Sequence, residues 1–400
     1  MIFQTIIILV LLNLISSYEV DPKGYVAYCP CMGKIYYKYF NAFLGRFGNQ
    51  MEHFLGALSF SKSLGRTLIL PPLVEYISGK PSAVMVEFDR YFQIKPLEEY
   101  HRVITMKNFM RNLSDLVWPK EKRYAFCWSP RNSVYDESAP AGCQAKEGNP
   151  FGPFWDNFNI EFVGDVYYGD IPGGYQLSSH KYVDEWNSRF NAKDYPVLSF
   201  TSAPGQFPAK QKDRQLQRYI RWSSRITSQA KKFIEQNLPK PFVGIHLRND
   251  IDWSRVCEHI GTYSPTPIFS SEQCTGINNI KGKLTKEVCF PSKKTILHDL
   301  EKVVKEKNIK SIFVSSDKDH MIEEINDHFK EFNITAHRLE DNDSHVSLAI
   351  LQASNHFIGN CVSTFTAFVA RSREFSNANA SRPTTFFGFI PEVKKRKIEL

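Results

Sequence analysis

The second half of the chain alternates short apolar runs with longer segments whose apolar residues recur every three or four positions. The short runs are typical of buried strands, and the longer segments are typical of amphipathic helices. Strands that alternate with helices predict a parallel, doubly wound α/β sheet, which binds ligands at the carboxyl ends of its strands. The predicted strands are 242–247, 311–316, 334–339 and 356–359, and the predicted helices are 293–307, 318–330, 346–353 and 363–373.

The first half of the chain shows the same two patterns at fewer places. We predict strands at 24–29 and 67–70 and helices at 49–64 and 221–238. The stretch 129–174 is rich in Pro, Gly, Asn and aromatic residues and has little periodicity. We expect it to be a long ordered insertion that a pair of cysteines holds.

The length of the chain, 400 residues, exceeds what one ordinary hydrophobic core organises, so we predict two domains. Pro239 and Pro241 interrupt the pattern, and we place the boundary there. The prediction is an N-terminal domain at 18–238 and a C-terminal domain at 239–393. A hydrophobic content of 42% with 14% aromatic residues is typical of a globular protein.

The first residues of the chain contain a continuous apolar run from Ile6 to Leu12, followed by Ser16 and Ser17. This run is too short for a stable membrane anchor and is typical of a signal peptide at 1–17, with an uncleaved anchor as the alternative. No second apolar stretch is long enough to cross a bilayer, so we predict no stable membrane span.

The end of the chain and its charge fit the secretory pathway. Residues 394–400 form a basic tail whose last four residues, Lys-Ile-Glu-Leu, resemble the retention signal Lys-Asp-Glu-Leu. We therefore predict the lumen of the endoplasmic reticulum. The net charge of +8 is spread along the chain, and we expect no nucleic-acid partner in that lumen.

Eight cysteines in a chain with a secretory leader predict four disulfides. They are Cys29, Cys31, Cys127, Cys143, Cys257, Cys274, Cys289 and Cys361. A zinc site is the weaker alternative, because the cysteines and histidines lack the spacing of zinc ligands. Four Asn-x-Ser/Thr triplets predict N-glycosylation in the same compartment, at Asn112, Asn333, Asn342 and Asn379.

Three segments place polar groups where a parallel α/β sheet is expected to bind a ligand. The first is the glycine-flanked turn Gly45-Arg-Phe-Gly-Asn-Gln50, which opens a helix. Glycine lets the backbone approach a phosphate, and a helix start offers unpaired N–H groups. An ordinary tight turn is the alternative for this segment alone.

The second segment, Gly244-Ile-His-Leu-Arg-Asn-Asp250, ends a predicted strand. His246 and Arg248 are two positions apart, so they point to the same side of the strand. A guanidinium at the end of a strand suits a diphosphate, because it can donate two parallel hydrogen bonds. An interdomain salt bridge is about equally compatible with this segment.

The third segment, Gly359-Asn-Cys-Val-Ser-Thr-Phe365, joins a strand to a helix start. Ser363 and Thr364 can cap the helix or bind a phosphate beside the positive end of the helix dipole. Capping is the more common role, and one hydroxyl can serve both.

Together these segments resemble the GDP-fucose protein O-fucosyltransferases that act on EGF-like repeats. The motifs that carry the resemblance are Cys29-Pro-Cys-Met-Gly33, Arg46-Phe-Gly-Asn-Gln50, His53-Phe-Leu-Gly56, His246-Leu-Arg248 and Phe357-Ile-Gly-Asn-Cys-Val-Ser-Thr-Phe365. The resemblance implies a GT-B fold, with two Rossmann-like domains and the donor in the cleft between them. It implies GDP-fucose as co-substrate without a cofactor or metal, and EGF-like repeat proteins such as Notch-type receptors as partners.

The resemblance also implies roles for single residues. The donor-binding residues would be Arg46, Phe47, Gly48, Asn49, His246, Leu247, Arg248, Asp343, Ser363, Thr364 and Phe365. Arg248 would neutralise the β-phosphate as GDP leaves, and Asn49 would orient the acceptor hydroxyl. The family has a carboxylate facing the guanine, on or just before the helix that leads into Phe357-Ile-Gly-Asn-Cys361. The centre of that helix is Ser347 in this chain, and the nearest acid is Asp343, so we carry the role to Asp343. The implied disulfides are Cys29–Cys31, Cys127–Cys143, Cys257–Cys289 and Cys274–Cys361.

The family reaction inverts the anomeric carbon of fucose, and no acidic residue lies within the matched motifs to act as a base. Departure of GDP would then drive the step, with positioning as the main contribution. One alternative is a metal-dependent GT-A transferase that uses Asp341-Asn-Asp343 as its manganese motif. A lectin or chaperone that holds EGF-like repeats is a second alternative.

One segment, 34–45, interrupts the first family motif. Its removal joins Gly33 to Arg46 and restores the family sequence. The segment contains bulky aromatic residues and few turn residues, unlike a typical surface loop. Its ends can be encoded with splice-donor and splice-acceptor patterns, so we interpret it as a short intron retained in frame. A genuine loop is the alternative, because added loop length costs little entropy.

Overall fold

A computed structural model describes residues 19–32, 35–37, 40–42, 46–77, 79–177, 179–258, 260, 268–341, 343–375 and 382–392. The predicted signal peptide, the basic tail, Asn342 and Asn379 lie outside these residues. None of the described helices combines the length and the apolar character that a bilayer crossing needs. Asn112 and Asn333, the other two predicted glycosylation positions, are both exposed.

The regular elements follow the alternation expected from the sequence. The strands are β1 Tyr25–Tyr28, β2 Ile35–Tyr37, β3 Phe40–Ala42, β4 Thr67–Leu70, β5 Leu73–Glu75, β6 Val84–Val86, β7 Val103–Thr105, β8 Tyr124–Cys127, β9 Gly164–Tyr167, β10 Val197–Phe200, β11 Phe242–Leu247, β12 Ser311–Ser316, β13 Thr335–His337, β14 His356–Gly359 and β15 Thr384–Phe386. The helices are α1 Phe47–Leu64, α2 Phe88–Tyr91, α3 Lys95–Glu98, α4 Met106–Asn112, α5 Ser114–Val117, α6 Phe151–Asp156, α7 His180–Arg189, α8 Gln211–Arg214, α9 Ser224–Asn237, α10 Ile251–Glu258, α11 Glu272–Thr275, α12 Lys286–Cys289, α13 Lys293–Lys307, α14 Ile322–Phe329, α15 Ser344–Ala353 and α16 Thr364–Phe375.

The chain forms two compact units, each made of several segments. One unit takes the described residues of Met1–Cys29, Phe60–Pro72 and His101–Ser202, and the other takes those of Pro30–Ser59, Leu73–Tyr100 and Ala203–Leu400. The α/β class with two units confirms the predicted fold class. The single division at Pro239 is a different way to divide the chain and stays a prediction.

The first unit is built on a parallel six-stranded sheet in the order β7-β4-β1-β10-β8-β9. All four residues of β1, β4 and β10 are buried, as is typical of inner strands of a parallel sheet. The edge strand β9 lies within 129–174, so this stretch contributes a strand to the sheet although its sequence shows little periodicity. Gly164-Asp-Val-Tyr167 pairs on one side only, and its sequence has no apolar run to reveal it.

The second unit is built on a parallel five-stranded sheet in the order β13-β12-β11-β14-β15. The central strands are fully buried, and helices α13 and α14 pack their apolar residues into the core beside them. Ser292 caps α13 by accepting a hydrogen bond from the Thr295 N–H, and Asn308 ends it in the left-handed conformation.

Three disulfides have the pairing that the resemblance implies. They are Cys127–Cys143, Cys257–Cys289 and Cys274–Cys361. Cys29 and Cys31 are also disulfide-bonded, and none of the described cysteines is free.

The segment that interrupts the first motif contains β2 and β3, which pair as an antiparallel ribbon with Ile35 opposite Ala42. The side chains of these two strands lie outside the description, as do residues 33–34, 38–39 and 43–45. The interpretation of this segment as a retained intron stays a prediction.

Candidate functional site

The glycine-flanked turn of the sequence lies at the start of α1, directly against the start of α16. The Thr364 hydroxyl donates a hydrogen bond to the Asn49 side-chain oxygen, with 2.6 Å between the two oxygens. Gly48 lies so close that an added Cβ would be 2.5 Å from the Thr364 Oγ1 and 2.8 Å from the Phe365 nitrogen. Only glycine fits at this contact, so the first and third candidate segments belong to one site.

Arg46 and Phe47 flank this contact differently. Arg46 is exposed, whereas the half-buried Phe47 ring packs into an aromatic cluster. The ring centroids of the cluster lie 4.8–6.1 Å from that of Phe47 and belong to Phe92, Trp222, His345 and Phe368. The Phe47 ring therefore anchors the start of α1 in the core.

His246 lies near the end of β11 and contacts the first turn of α16. Its Nδ1 is 2.8 Å from the Thr366 Oγ1, and its ring lies 4.6 Å from the ring of Phe365, centroid to centroid. Burial, together with the nearby charge of Arg248, lowers the pKa of His246 to about 3. The imidazole is therefore neutral at physiological pH. Leu247 points the other way and is buried in the apolar core.

Arg248 follows the end of β11 and has two fixed neighbours. Its guanidinium forms an ion pair with the carboxylate of Asp317 and lies 5.0 Å from the centroid of the Trp253 ring. Both residues belong to the second unit, so the ion pair is not the interdomain salt bridge that the sequence left open. The side chain of Arg248 retains 16% exposure, so it is held in place but remains accessible.

Asp317 and Asn249 are functional candidates that the sequence analysis missed. The second Asp317 oxygen accepts a hydrogen bond from the Asn249 N–H at 2.9 Å, and the Asn249 side chain bonds both backbone groups of Asp319. These contacts join the carboxyl ends of neighbouring strands β11 and β12. The rule that parallel sheets bind ligands at this edge could have identified Asp317, which directly follows a predicted strand.

The loop between β14 and α16 is ordered by its own polar side chains. The Ser363 Oγ accepts from the Phe365 N–H at 3.2 Å, so Ser363 caps α16 as one reading of the sequence proposed. The side-chain oxygen of Asn360, a residue given no role from the sequence, accepts from the N–H groups of Val362 and Ser363. Its N–H donates to the Thr366 Oγ1 that also meets His246.

A second support reaches this loop from α11. The Cys274–Cys361 disulfide joins the two segments, and the Gln273 side-chain amide donates to the carbonyl oxygens of Cys361 and Ser363 at 2.7 and 3.1 Å. The backbone that begins α16 is therefore held by a covalent bond and by hydrogen bonds.

Asp343 caps α15. Its Oδ1 accepts hydrogen bonds from the N–H groups of His345 and Val346, and the Arg225 guanidinium lies 4.0 Å from its Oδ2. Burial alone would raise the pKa of Asp343, but the His345 side chain, the backbone N–H groups of Val346 and His345, and the charge of His345 lower it to about 2. Asp343 is thus a fixed carboxylate at the start of α15.

Asp341 of the candidate manganese motif accepts a hydrogen bond from the Asp343 N–H at 3.2 Å. Both acidic residues of the motif therefore order the backbone before α15. Within the described part of the chain, no three His, Cys, Asp or Glu side chains group as metal ligands would.

A buried ion pair joins the two helices whose starts meet at Gly48. Glu52, which is fully buried, accepts from the Arg371 guanidinium at 2.6 Å and from the Ala209 N–H at 2.9 Å. Glu52 lies one turn along α1 from Asn49, and Arg371 lies two turns along α16 from Thr364. The pair therefore fixes the two helices close to their starts.

This arrangement is suited to an anionic ligand. The start of α16 is the positive end of a twelve-residue helix. An accessible guanidinium and a neutral imidazole lie on the adjoining strand end, and neutral hydroxyl and amide groups complete the set. A diphosphate at the carboxyl edge of a parallel sheet is what such groups recognise. The fold and site define an α/β enzyme of the GT-B type that uses a sugar nucleotide.

Comparisons with known proteins identify the family. A family model described as GDP-fucose protein O-fucosyltransferase matches residues 25–376. A Caenorhabditis elegans protein named GDP-fucose protein O-fucosyltransferase 1 is 50% identical over 385 residues, which are 96% of this chain and 95% of the relative. A crystal structure of POFUT1 in complex with GDP-fucose is 50% identical with a TM-score of 0.86, over 92% of this chain and 99% of that chain. A crystal structure of POFUT1 in complex with GDP is similar with a TM-score of 0.84 at 50% identity, over 92% of this chain and 100% of that chain. The chain belongs to the GDP-fucose protein O-fucosyltransferase family and is a glycosyltransferase.

Proposed function

We propose that this enzyme transfers fucose from GDP-fucose to a serine or threonine hydroxyl of folded EGF-like repeats. The transfer inverts the anomeric carbon and needs no metal ion. One observation carries the proposal: Gly48 and Asn49 contact Thr364 beside the end of β11, which Arg248 follows. This contact brings the family motifs together as one candidate anion-binding site. The relatives named for GDP-fucose transfer support the donor.

In this proposal the bond from the fucose anomeric carbon to the β-phosphate oxygen breaks, and a bond to the acceptor oxygen forms on the opposite face. The electron pair leaves with GDP, and the acceptor hydroxyl gives its proton to the departing diphosphate. Arg248 and the positive end of the α16 helix dipole stabilise the charge that develops on the departing diphosphate. Asp317 keeps Arg248 in place for that task.

His246 does not serve as a general base in this mechanism. A pKa of about 3 makes the imidazole too weakly basic to take a proton from a hydroxyl near neutral pH. His246 instead offers a neutral imidazole to the donor, and its contact with Thr366 ties β11 to α16. Asn49, whose side-chain oxygen accepts from Thr364, orients the acceptor hydroxyl through its amide.

Metal independence is supported by the engagement of Asp341 and Asp343 in backbone hydrogen bonds before α15. In the same proposal, Asp343 faces the guanine with the carboxylate oxygen that does not cap the helix. We also propose the lumen of the endoplasmic reticulum as the site of action, because disulfides are stable in an oxidising compartment.

A mass measurement tests this function. Purified enzyme is incubated with GDP-fucose and a folded EGF-like repeat, with and without EDTA, and the repeat gains the mass of one fucose in both samples. A reduced, unfolded repeat and the Arg248→Ala variant serve as controls and gain no fucose. Loss of activity in EDTA would favour the manganese motif, and repeat binding without turnover would favour a lectin or chaperone.

A further inference from the structure

A groove in the first unit has features of a binding site and shares no residue with the donor site. Its volume is about 770 Å³, and pockets of about 300–1,000 Å³ commonly hold small ligands. It is lined by residues that follow β8, by residues within and directly after β9, and by the end of α7. The side chains that carry the argument are Trp128, Asp165, Asp170 and Arg189.

Trp128 presents a fixed aromatic surface in this groove. The residue is 51% exposed, which is unusual for an indole in a folded protein. Two glycines make room for it: an added Cβ at Gly174 would lie 2.4 Å from Trp128 Cζ3, and one at Gly169 would lie 2.4 Å from the Trp128 carbonyl oxygen. The Trp128 and Tyr168 rings also pack nearly perpendicular to each other, with the centroids 5.7 Å apart. The exposed indole is therefore pre-organised and loses little entropy when a ligand binds.

The polar groups of the groove are fixed as well. The Arg189 guanidinium donates to the Asp170 carboxylate at 2.7 Å and to the Tyr167 carbonyl at 3.3 Å, and it lies 5.2 Å from the centroid of the Phe190 ring. One oxygen of Asp165 accepts from the Cys143 N–H at 2.9 Å. Planar donors and acceptors thus line the groove in defined positions, together with the aromatic surface of Trp128.

We propose that this groove binds a pyranose ring of a neutral oligosaccharide. One face of a pyranose is made of C–H groups that pack on an indole, while its hydroxyls donate to carboxylates and accept from a guanidinium. A purely apolar ligand would cover the remaining donor and acceptor sites of Arg189 and Asp170 without replacing their hydrogen bonds to water. A phosphate would face the carboxylates of Asp165 and Asp170, which repel it.

The binding test uses maltotriose and chitotriose as probes, with tryptophan fluorescence and saturation-transfer NMR as readouts. The intact enzyme binds at least one of them, and Trp128→Ala weakens that binding about tenfold or more because the stacking surface is lost. Tyr135→Ala is the matched control. Tyr135, like Trp128, lies in the loop that follows β8 and is 78% exposed, but it does not line the groove. Both variants keep wild-type affinity for GDP, which shows that the fold is intact.

The proposal is overturned if neither oligosaccharide binds, or if Trp128→Ala binds it as tightly as the wild type. A second experiment compares KM for a glycosylated and an unglycosylated EGF-like repeat and so identifies the source of the sugar. This second experiment rests on the proposed function. If the acceptor carries the sugar, Trp128→Ala raises KM only for the glycosylated repeat. If KM is unchanged while probe binding is lost, the groove binds a glycan from another source. Absence of turnover by the wild type would count against the proposed function alone.

Discussion

The Thr364 hydroxyl and the Asn49 side-chain oxygen, 315 residues apart in sequence, form a hydrogen bond of 2.6 Å between the starts of two helices. The bond orients both groups: Thr364 uses its proton, so its lone pairs remain as acceptors, and Asn49 keeps its amide N–H groups as donors. Because Gly48 lets the two backbones approach, the contact depends on a residue that itself offers no side-chain chemistry.

Gly48→Ala tests that dependence. The new methyl would lie 2.5 Å from Thr364 Oγ1 and 2.8 Å from the Phe365 nitrogen. The Phe365 nitrogen is a backbone atom, so it cannot move aside as the end of a flexible side chain could. We expect GDP affinity to fall about tenfold or more with the chain still folded, since overpacking costs about 1–3 kcal/mol. Calorimetric titration with GDP measures this.

Gly164→Ala is the matched control for Gly48→Ala, because its added methyl would lie 3.3 Å from the Tyr124 ring in the first unit. That variant should bind GDP like the wild type. Unchanged GDP affinity in Gly48→Ala would show that the contact is not part of the donor site.

Arg248 and Asp317 should differ in how their loss affects turnover. Arg248→Ala removes the charge that stabilises departing GDP, so we expect kcat to fall about a hundredfold or more. Arg248→Lys should recover little of it, because an ammonium cannot make the paired contact of a guanidinium. Asp317→Asn keeps the shape but removes the ion pair, and we expect a smaller fall in kcat.

Steady-state kinetics with a fixed acceptor separate these variants. The role of Asp317 as a positioning residue predicts that Asp317→Asn has no further effect when Arg248 is already alanine. Additive losses in the double variant would mean that Asp317 acts on the donor by itself.

The Cys274–Cys361 disulfide should matter for donor binding more than for overall stability. It holds the backbone that precedes Ser363, together with the Gln273 hydrogen bonds. The double variant Cys274→Ser/Cys361→Ser should therefore lose GDP affinity while much of the fold remains. The double variant Cys127→Ser/Cys143→Ser, which opens a disulfide of the first unit, is the control and should keep GDP affinity. Equal GDP affinity in both variants would exclude a special role for the Cys274–Cys361 bond.

The sequence predicted the second unit well because its strands are buried on both faces. The predicted strands 242–247, 311–316 and 356–359 have the same bounds in the structure, as does the helix 293–307. The helix predicted at 318–330 begins only at Ile322, because Asn249 holds the backbone at Asp319 and Met321 adopts the left-handed conformation. A contact from another strand end decided that boundary, and no local pattern reports such a contact.

The candidate site was predicted less completely for a related reason. Motifs identify residues that are adjacent in sequence, so Ser363, Thr364 and Arg248 were found. Asp317 and Glu52 act through partners far away in sequence, and neither lies in a pattern that marks an ion pair. The strand-end rule marks the position of Asp317, but the two ion pairs become visible only in the packing of α1, α16 and the strand ends.

The buried pair of Glu52 and Arg371 should dominate the stability of the helix contact. Removing one partner leaves an uncompensated buried charge, so Glu52→Ala or Arg371→Ala should each lower the free energy of unfolding by about 3–5 kcal/mol. The double variant Glu52→Leu/Arg371→Met replaces the pair by apolar groups and should lose less than either single variant. Denaturant unfolding measures the free energy of unfolding of all three variants. If the double variant loses the sum of what the two single variants lose, Glu52 and Arg371 do not stabilise the protein as a pair.

Three histidines with lowered pKa values should make the enzyme less stable in mild acid. Burial lowers the pKa of His246 to about 3 and the pKa values of His53 and His356 to about 4. Below about pH 6.5 the unfolded chain takes up protons on these residues while the native chain does not. The contribution of these histidines to the free energy of unfolding is therefore fully present above pH 6.5. It falls as the pH decreases towards 4, by at most about 1.4 kcal/mol per pH unit for each histidine.

His246→Asn isolates one of these contributions, because asparagine can keep a hydrogen bond to Thr366 but takes up no proton. Between pH 7.5 and 5.5, the variant should lose less stability than the wild type does, even if it is less stable at pH 7.5. Denaturant unfolding at both pH values measures the difference, and Asn49→Ala, which removes no titratable group, should show the wild-type slope. Parallel loss of stability in His246→Asn and the wild type would contradict a neutral, buried His246 in the native enzyme.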